Sequence, residues 1–193
     1  MGAVVTAAPA SSPVRGVAIL GSTGSIGTTA LRVLERQRDR FRVAALTAYD
    51  NARLLGEQAD RFSPAFVGIV GNGASSHPGW HLGESCLVDA VRRDDVDIVL
   101  NAVVGAAGLE ATLAALNAGK RVALANKETL VMGGSLVTDA CRSGGGEIIP
   151  VDSEHSAILQ CIAGKPGVEV RRIIITASGG PFRGWTDEQL ERA

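Results

Sequence analysis

Aromatic residues are scarce in this sequence, 4% of 193 positions, and neither sign of charge dominates: 19 Lys and Arg face 20 Asp and Glu, for a net charge of -1. The bases are mostly Arg and lie scattered rather than in a stripe, so neither a nucleic-acid surface nor an anionic-membrane surface is expected. Only three cysteines occur, Cys86, Cys141 and Cys161, an odd number in no metal-ligand spacing. That usage fits apolar filler in a reducing compartment and points to the cytoplasm. Long hydrophobic runs are missing as well. The longest apolar stretch, 98–109, is interrupted by Asn101 and two glycines, short of the roughly 18 to 20 residues a membrane helix needs. Residues 1–13 carry no base ahead of Arg15 and read as a flexible Ala/Ser/Pro tail, not a secretory signal.

What is present is 46% apolar and 20% charged, the balance of a globular protein with one domain and part of a second. Short β-branched runs alternate with helical stretches: VRGVAIL, FRVAALTA, AFVGIV, DIVLNAVV and RVALA. Helices are expected from about Ser25, around Leu54, over 83–93 and 109–118, and up to about Arg142, where the glycines at 144–146 stop the last one. Strands that read as unbroken apolar runs are buried on both faces, as in a parallel sheet covered by helices. The fold class is therefore α/β, a doubly wound, mostly parallel sheet. Segment 71–81, rich in Gly, Ser and Pro, reads as an excursion loop. From about 147 the pattern changes to a strand, a cap and a helix in EIIPVDSEHSAILQCI, then a strand in VEVRRIIITA, then a capping box from Thr186 to Gln189. The expected organisation is a tail over 1–13, a domain over 14–146 and the incomplete start of an α+β catalytic domain over 147–193.

Gly21-Ser22-Thr23-Gly24-Ser25-Ile26-Gly27 follows the first strand and opens the first helix, the context of a Rossmann dinucleotide fingerprint. Gly21 permits the tight turn, Gly24 lets the backbone approach a pyrophosphate, and Gly27 allows close helix packing. A purely structural turn is the rival reading. The run from Asn101 to Gly108, NAVVGAAG, ends another strand at the same sheet edge; its small residues either admit a flat ring or serve helix packing. Asn126-Lys127-Glu128 emerges from a buried strand toward that crevice, or forms a solvated loop. Asp152-Ser153-Glu154-His155 sets two carboxylates at i and i+2, fit to hold a hard cation or to cap a helix. Ser178 with two glycines and Arg183 makes either a phosphate cradle or a plain turn.

In order, GSTGSIG, NAVVGAAGL, LANKETLV, PVDSEHSAI and SGGPFR resemble the 1-deoxy-D-xylulose 5-phosphate reductoisomerase family, over residues from about 14 to 183. The resemblance implies an NADPH- and divalent-metal-dependent enzyme that converts this phosphorylated ketose to 2-C-methyl-D-erythritol 4-phosphate, in the non-mevalonate route to isoprenoids. It implies that the loop from Gly21 to Gly27, with Asn51, Ala102, Gly105 and Ala106, binds the dinucleotide, and that Asn126, Lys127 and Glu128 meet both cofactor and substrate. By the same likeness Asp152 and Glu154 ligate Mg²⁺ or Mn²⁺, and Lys127, Ser153 and Glu154 are catalytic. Those three, together with Ser178, bind substrate. Family members continue into a lid, a third carboxylate ligand and a helical C-terminal domain, and form homodimers. The expectation is thus that this chain, taken alone, binds dinucleotide and turns over slowly or not at all. The sequence departs from the family at Tyr49-Asp50. An acid about 23 residues past Gly27 favours NADH on physical grounds, Arg53 argues the other way, and the resemblance implies NADPH.

Overall fold

The computed structural model describes residues 13–71, 77–164, 167–174 and 182–192. The chain divides into two compact units, the first ending at Asp152 and the second beginning at Ser153. Among its described residues the first holds seven strands: β1 (Arg15–Leu20), β2 (Phe41–Ala48), β3 (Phe66–Ile69), β4 (His81–Leu82), β5 (Ile98–Asn101), β6 (Arg121–Leu124) and β7 (Glu147–Pro150). Its helices are α1 (Ser25–Glu35), α2 (Ala52–Phe62), α3 (Ser85–Arg92), α4 (Gly108–Asn117) and α5 (Lys127–Gly144). The sheet order is β4-β3-β2-β1-β5-β6-β7, and every pair is parallel.

Successive strand residues point to opposite faces, and here both faces are covered, which is why the strands read as unbroken apolar runs. Val17 and Ile19 join Leu31 of α1 and Leu55 of α2 in one core. Ala18 and Leu20 join Leu87 and Val91 of α3, Leu116 of α4 and Val137 of α5 in the other. A register shift between Val17 and Ala18 passes over Ala44, so Ala44 and Ala45 of β2 both fall in the second core. The chain builds outward from β1 to β4, then returns through α3 to lay β5 on the other side of β1. That reversal opens a crevice at the carboxyl ends of the central strands, where ligands bind in open α/β sheets.

Asn51 caps α2, its side chain accepting from Leu54 N at 3.1 Å, and Asn126 caps α5 by accepting from Thr129 N at 3.0 Å. At the end of α5 the three glycines have separate reasons. Gly145 takes φ +75° as the C-cap, whereas a Cβ on Gly144 or Gly146 would lie 2.3 or 2.6 Å from the Leu116 carbonyl oxygen.

The structure differs from the sequence expectation at three places. Part of the expected excursion loop pairs as β4, an exposed two-residue strand beside β3 too short to leave a pattern. Residues 147–150 extend the first unit's sheet as β7, pairing with β6 from Arg121↔Glu147 to Leu124↔Pro150. The strand expected in VEVRRIIITA is not formed over 170–174, where the described backbone of the second unit offers no strand to pair with and Ile174 is 75% exposed. The second unit contains α6 (Ser153–Ile162), a 3-10 turn at Gly167–Glu169 and α7 (Asp187–Leu190), which opens with the expected Thr186–Gln189 capping box. No helix among the described residues is long and apolar enough to cross a membrane.

Candidate functional site

A cavity of about 410 Å³ lies at the carboxyl ends of β1, β2 and β5, walled by Gly21, Thr23 and Gly24, by Thr47 to Tyr49, and by Ala102 to Val104. The glycine loop forms its floor. Gly21 turns at φ +80°, and its N–H and that of Ser22 both donate to the Thr47 carbonyl, at 3.0 and 2.8 Å. A Cβ on Gly21 would lie 2.8 Å from Ala102 O, and one on Gly27 only 2.4 Å from Gly21 O. Both glycines are therefore required by the protein's own packing. Gly24 is different: a Cβ there would meet nothing closer than Gly21 O, at 3.5 Å. Gly24 is also the N-cap of α1; it offers no capping side chain, and the first turn of α1 contains no acid. The positive end of the helix dipole thus opens beside the cavity with no capping side chain and no first-turn acid of its own, Glu84 being the acid on the cavity wall.

Ser22 belongs to the expected ligand loop, yet it is fully buried. Its Oγ donates to Gln58 Oε1 at 2.7 Å, and Gln58 Nε2 donates back to Ser22 O at 3.0 Å. Gln58, which the sequence reading did not single out, pins the loop to α2; its only sequence signal is a polar residue three positions after buried Leu55. Replacing Gln58 by Leu strands a buried hydroxyl and a carbonyl, so unfolding in urea is expected to show a loss of about 2 kcal/mol. A variant as stable as the parent would show that the pair holds nothing.

Ile26 turns its side chain away from this cavity into a separate apolar groove with Val17, Val33 and Phe41, leaving its backbone N–H as the group available to a ligand at the helix start. The Asn51 carbonyl is engaged as the α2 cap. Ala102 is half-buried at the cavity wall; Gly105, at φ +75°, and exposed Ala106 form a 3-10 turn just beyond. Two asparagines hold that segment. Asn101 Nδ2 donates to Gly108 O and Thr112 Oγ1, and its Oδ1 accepts from Val103 N. Asn126, 2% exposed, donates to Val103 O at 2.6 Å and to Gly105 O at 2.8 Å.

Lys127 and Glu128 are the first residues of α5, and Lys127 is exposed. An ammonium at a helix N-terminus opposes the dipole, so helix stability does not account for Lys127. Asp152, half-buried, closes the first unit, and Ser153 and Glu154 open α6, where Ser153 Oγ donates to Glu154 Oε2 at 2.7 Å. Among the described residues no three His, Cys, Asp or Glu side chains come together as a metal site. Ser178 lies outside the described residues.

Of the three cysteines Cys86 is buried filler, Cys141 is partly buried and Cys161 is exposed. Cys86 is buried against Gly68, and burial, with Asp89 adding to it, pushes its thiol up to about 11. A thiol held protonated is a poor nucleophile, so Cys86 serves packing and not chemistry. Thiol labelling of the folded protein at neutral pH is expected to modify exposed Cys161 first and to spare Cys86 until unfolding. Labelling of Cys86 as fast as Cys161 would contradict this burial.

The family model for 1-deoxy-D-xylulose 5-phosphate reductoisomerase matches residues 17–134, and that for the C-terminal domain of the same enzyme matches 148–193. A curated relative of that name from Nocardia farcinica is 51% identical over 177 residues, covering 91% of this chain and 44% of the relative. The solved 1-deoxy-D-xylulose 5-phosphate reductoisomerase from Zymomonas mobilis, in complex with NADPH, superposes with a TM-score of 0.80 at 42% identity, over 94% of this chain and 50% of that one. A solved DOX-P reductoisomerase in complex with NADPH, fosmidomycin and magnesium gives 0.73 at 38% identity, over 77% and 39%. The chain spans about half the length of the relatives it matches.

Proposed function

The chain belongs to the 1-deoxy-D-xylulose 5-phosphate reductoisomerase family, and from that premise we propose that it carries the dinucleotide-binding half, over about 14–146, of an NADPH-dependent enzyme making 2-C-methyl-D-erythritol 4-phosphate. The observation that carries the reading is Gly24. No protein atom accounts for its missing Cβ, while the uncapped start of α1 behind it opens on the cavity. A bare backbone at a helix N-terminus is what a pyrophosphate requires.

In this reading the backbone N–H groups of Ser25 and Ile26 receive the pyrophosphate, with Thr23 at the cavity wall beside them. Gly21, Ser22 and Gly27 act by holding the loop in shape. Asn51 lies toward the adenosine ribose. Ala102, Gly105 and Ala106 leave room for a flat nicotinamide ring. Asn126 fixes that wall, and Lys127 and Glu128 stand where cofactor and substrate meet, Lys127 orienting an anionic substrate. Ser153 hydrogen-bonds substrate hydroxyls and Ser178 the phosphate. When bound, NADPH supplies the hydride that reduces the rearranged substrate. Asp152 and Glu154 offer hard oxygens of the kind Mg²⁺ or Mn²⁺ takes; one or two carboxylates, completed by substrate oxygens and water, suit Mg²⁺ in particular. A homodimer acting on a phosphorylated ketose in the cytoplasm completes the proposal.

Titration with NADPH, followed by nicotinamide fluorescence, tests the dinucleotide role, and NADPH oxidation with 1-deoxy-D-xylulose 5-phosphate and Mg²⁺ tests the reaction. Saturable NADPH binding is expected with or without substrate and metal, and any oxidation, slow in this chain taken alone, only when both are present. EDTA is expected to leave the NADPH titration intact and to stop whatever turnover there is. A folded protein that does not bind NADPH overturns the reading.

A further inference from the structure

The end of β2 is tied to the glycine loop, because Gly21 N and Ser22 N both donate to Thr47 O. The residues just past Thr47 therefore sit one strand out from the proposed pyrophosphate site. Ala48 and Tyr49 line the same cavity, and Tyr49 is 70% exposed there. Asp50 comes next, an exposed carboxylate that makes no ion pair among the described residues. In dinucleotide folds an acid at this place, roughly 20 residues beyond the glycine loop, accepts from the adenosine ribose 2′-OH, whereas a nearby Arg accommodates a 2′-phosphate. This chain has both residue types, and the structure separates them. Arg53, in the first turn of α2, directs its guanidinium to Glu57 one turn further along the helix, as an i,i+4 ion pair. A 2′-phosphate would meet the Asp50 charge directly and would gain Arg53 only by drawing it from Glu57.

We propose that Asp50 is the residue that sets dinucleotide selectivity in this chain, weighing against the 2′-phosphate so that NADH is accepted beside NADPH. This rests on the dinucleotide reading above and sharpens it. Asp50 accepts from a free ribose 2′-OH, an interaction that NADH offers and NADPH lacks. Two like charges a few ångströms apart near a protein surface repel strongly enough for about a tenfold effect on binding, which is about 1.4 kcal/mol. The normal advantage of NADPH is thereby offset rather than abolished.

The test measures NADPH and NADH dissociation constants by nicotinamide fluorescence for the parent protein, Asp50→Asn and Arg53→Ala. For the parent, the two constants are expected to lie within about tenfold of each other. Asp50→Asn is expected to tighten NADPH about tenfold and to weaken NADH by a few-fold, since the neutral amide removes the repulsion and weakens the acceptor. Arg53→Ala is expected to change the ratio less than Asp50→Asn does. Because Asp50 is exposed, the variants should melt with the parent, and a circular-dichroism melt confirms that the constants compare folded proteins. A parent that prefers NADPH more than a hundredfold, with a ratio that Asp50→Asn leaves unchanged, overturns this inference and leaves the dinucleotide reading standing. A folded parent that binds neither dinucleotide overturns both.

Discussion

Replacing Gly27 by Val is expected to cost about 4 kcal/mol of stability and to abolish NADPH binding, because the added atoms meet backbone and not yielding side chains. The first of them, Cβ, would lie 2.4 Å from Gly21 O, 2.6 Å from Ser22 Cα and 2.7 Å from Ser22 C. None of the three can step aside. Gly21 and Ser22 are bound to Thr47 O, and Ser22 is pinned again by Gln58. The remaining relief is for α1 to lift away, which would draw Leu31, 4% exposed, out of its core. Gly24→Ala is the companion variant that makes the result interpretable. Its Cβ meets only Gly21 O at 3.5 Å, and Gly24 has a φ of -76° that alanine adopts freely, so the cost is that of alanine for glycine at an N-cap, about 1 kcal/mol or less. NADPH affinity should nevertheless fall at least tenfold, since the methyl group occupies the space proposed for the pyrophosphate. Urea denaturation and fluorescence titration of the two variants separate packing from ligand contact. A Gly24→Ala protein that binds NADPH like the parent would show that this loop is not the cradle.

The parallel sheet was legible because burial on both faces leaves a signature that needs no partner to be read. RGVAIL and FRVAALTA are continuous apolar runs, and each became a central strand. The features that were not legible are those whose cause lies in another segment. β4 exists because His81 and Leu82 can pair with Gly68 and Ile69, and the His81 ring stacks on Phe66 with centroids 4.1 Å apart. Two exposed residues in a Gly/Ser/Pro-rich stretch carry no periodicity of their own. Conversely, VEVRRIIITA has strand composition, but composition supplies no neighbour for its N–H and C=O groups, and 170–174 take no regular structure. The capping box at Thr186, which is wholly local, was readable to the residue.

The site divides along the same line. Glycines placed between a strand and a helix announce a tight turn, and the order of the sheet puts a crevice beside them. Which glycine serves the fold and which leaves open space is a matter of distances to Thr47, Ala102 and Ser22, none of which sequence spacing supplies. Ser22 shows this most directly. It stands in the middle of the motif, but its hydroxyl is turned inward to a Gln 36 residues away.

Asn126 is the buried counterpart of that pin, and its removal should have the second largest effect. Its amide nitrogen joins Val103 O and Gly105 O, and its carbonyl caps α5 at Thr129 N, so one side chain links the ends of β5 and β6. Asn126→Ala leaves two carbonyls and an N–H without those partners in a place that is 2% exposed, a loss of about 3 kcal/mol. The cap and the latch are distinguished by Asn126→Asp. Aspartate is as good an N-cap as asparagine, so if capping were the whole role this variant should restore the stability lost in Asn126→Ala. If the latch matters, it should not. The carboxylate keeps the oxygen that accepts from Thr129 N but sets a second acceptor against the Val103 and Gly105 carbonyls, where a donor is required. The expected order of stability is parent, then Ala, with Asp no better than Ala, measured by urea denaturation at neutral pH. The wall proposed for the nicotinamide should loosen in both variants, so NADPH affinity should fall in both, while the Val103 amide, which donates to Asn101 Oδ1, loses protection from hydrogen exchange ahead of the β1 amides. Rescue by Asp would reduce Asn126 to a helix cap and leave the wall from Ala102 to Ala106 without its anchor on β6.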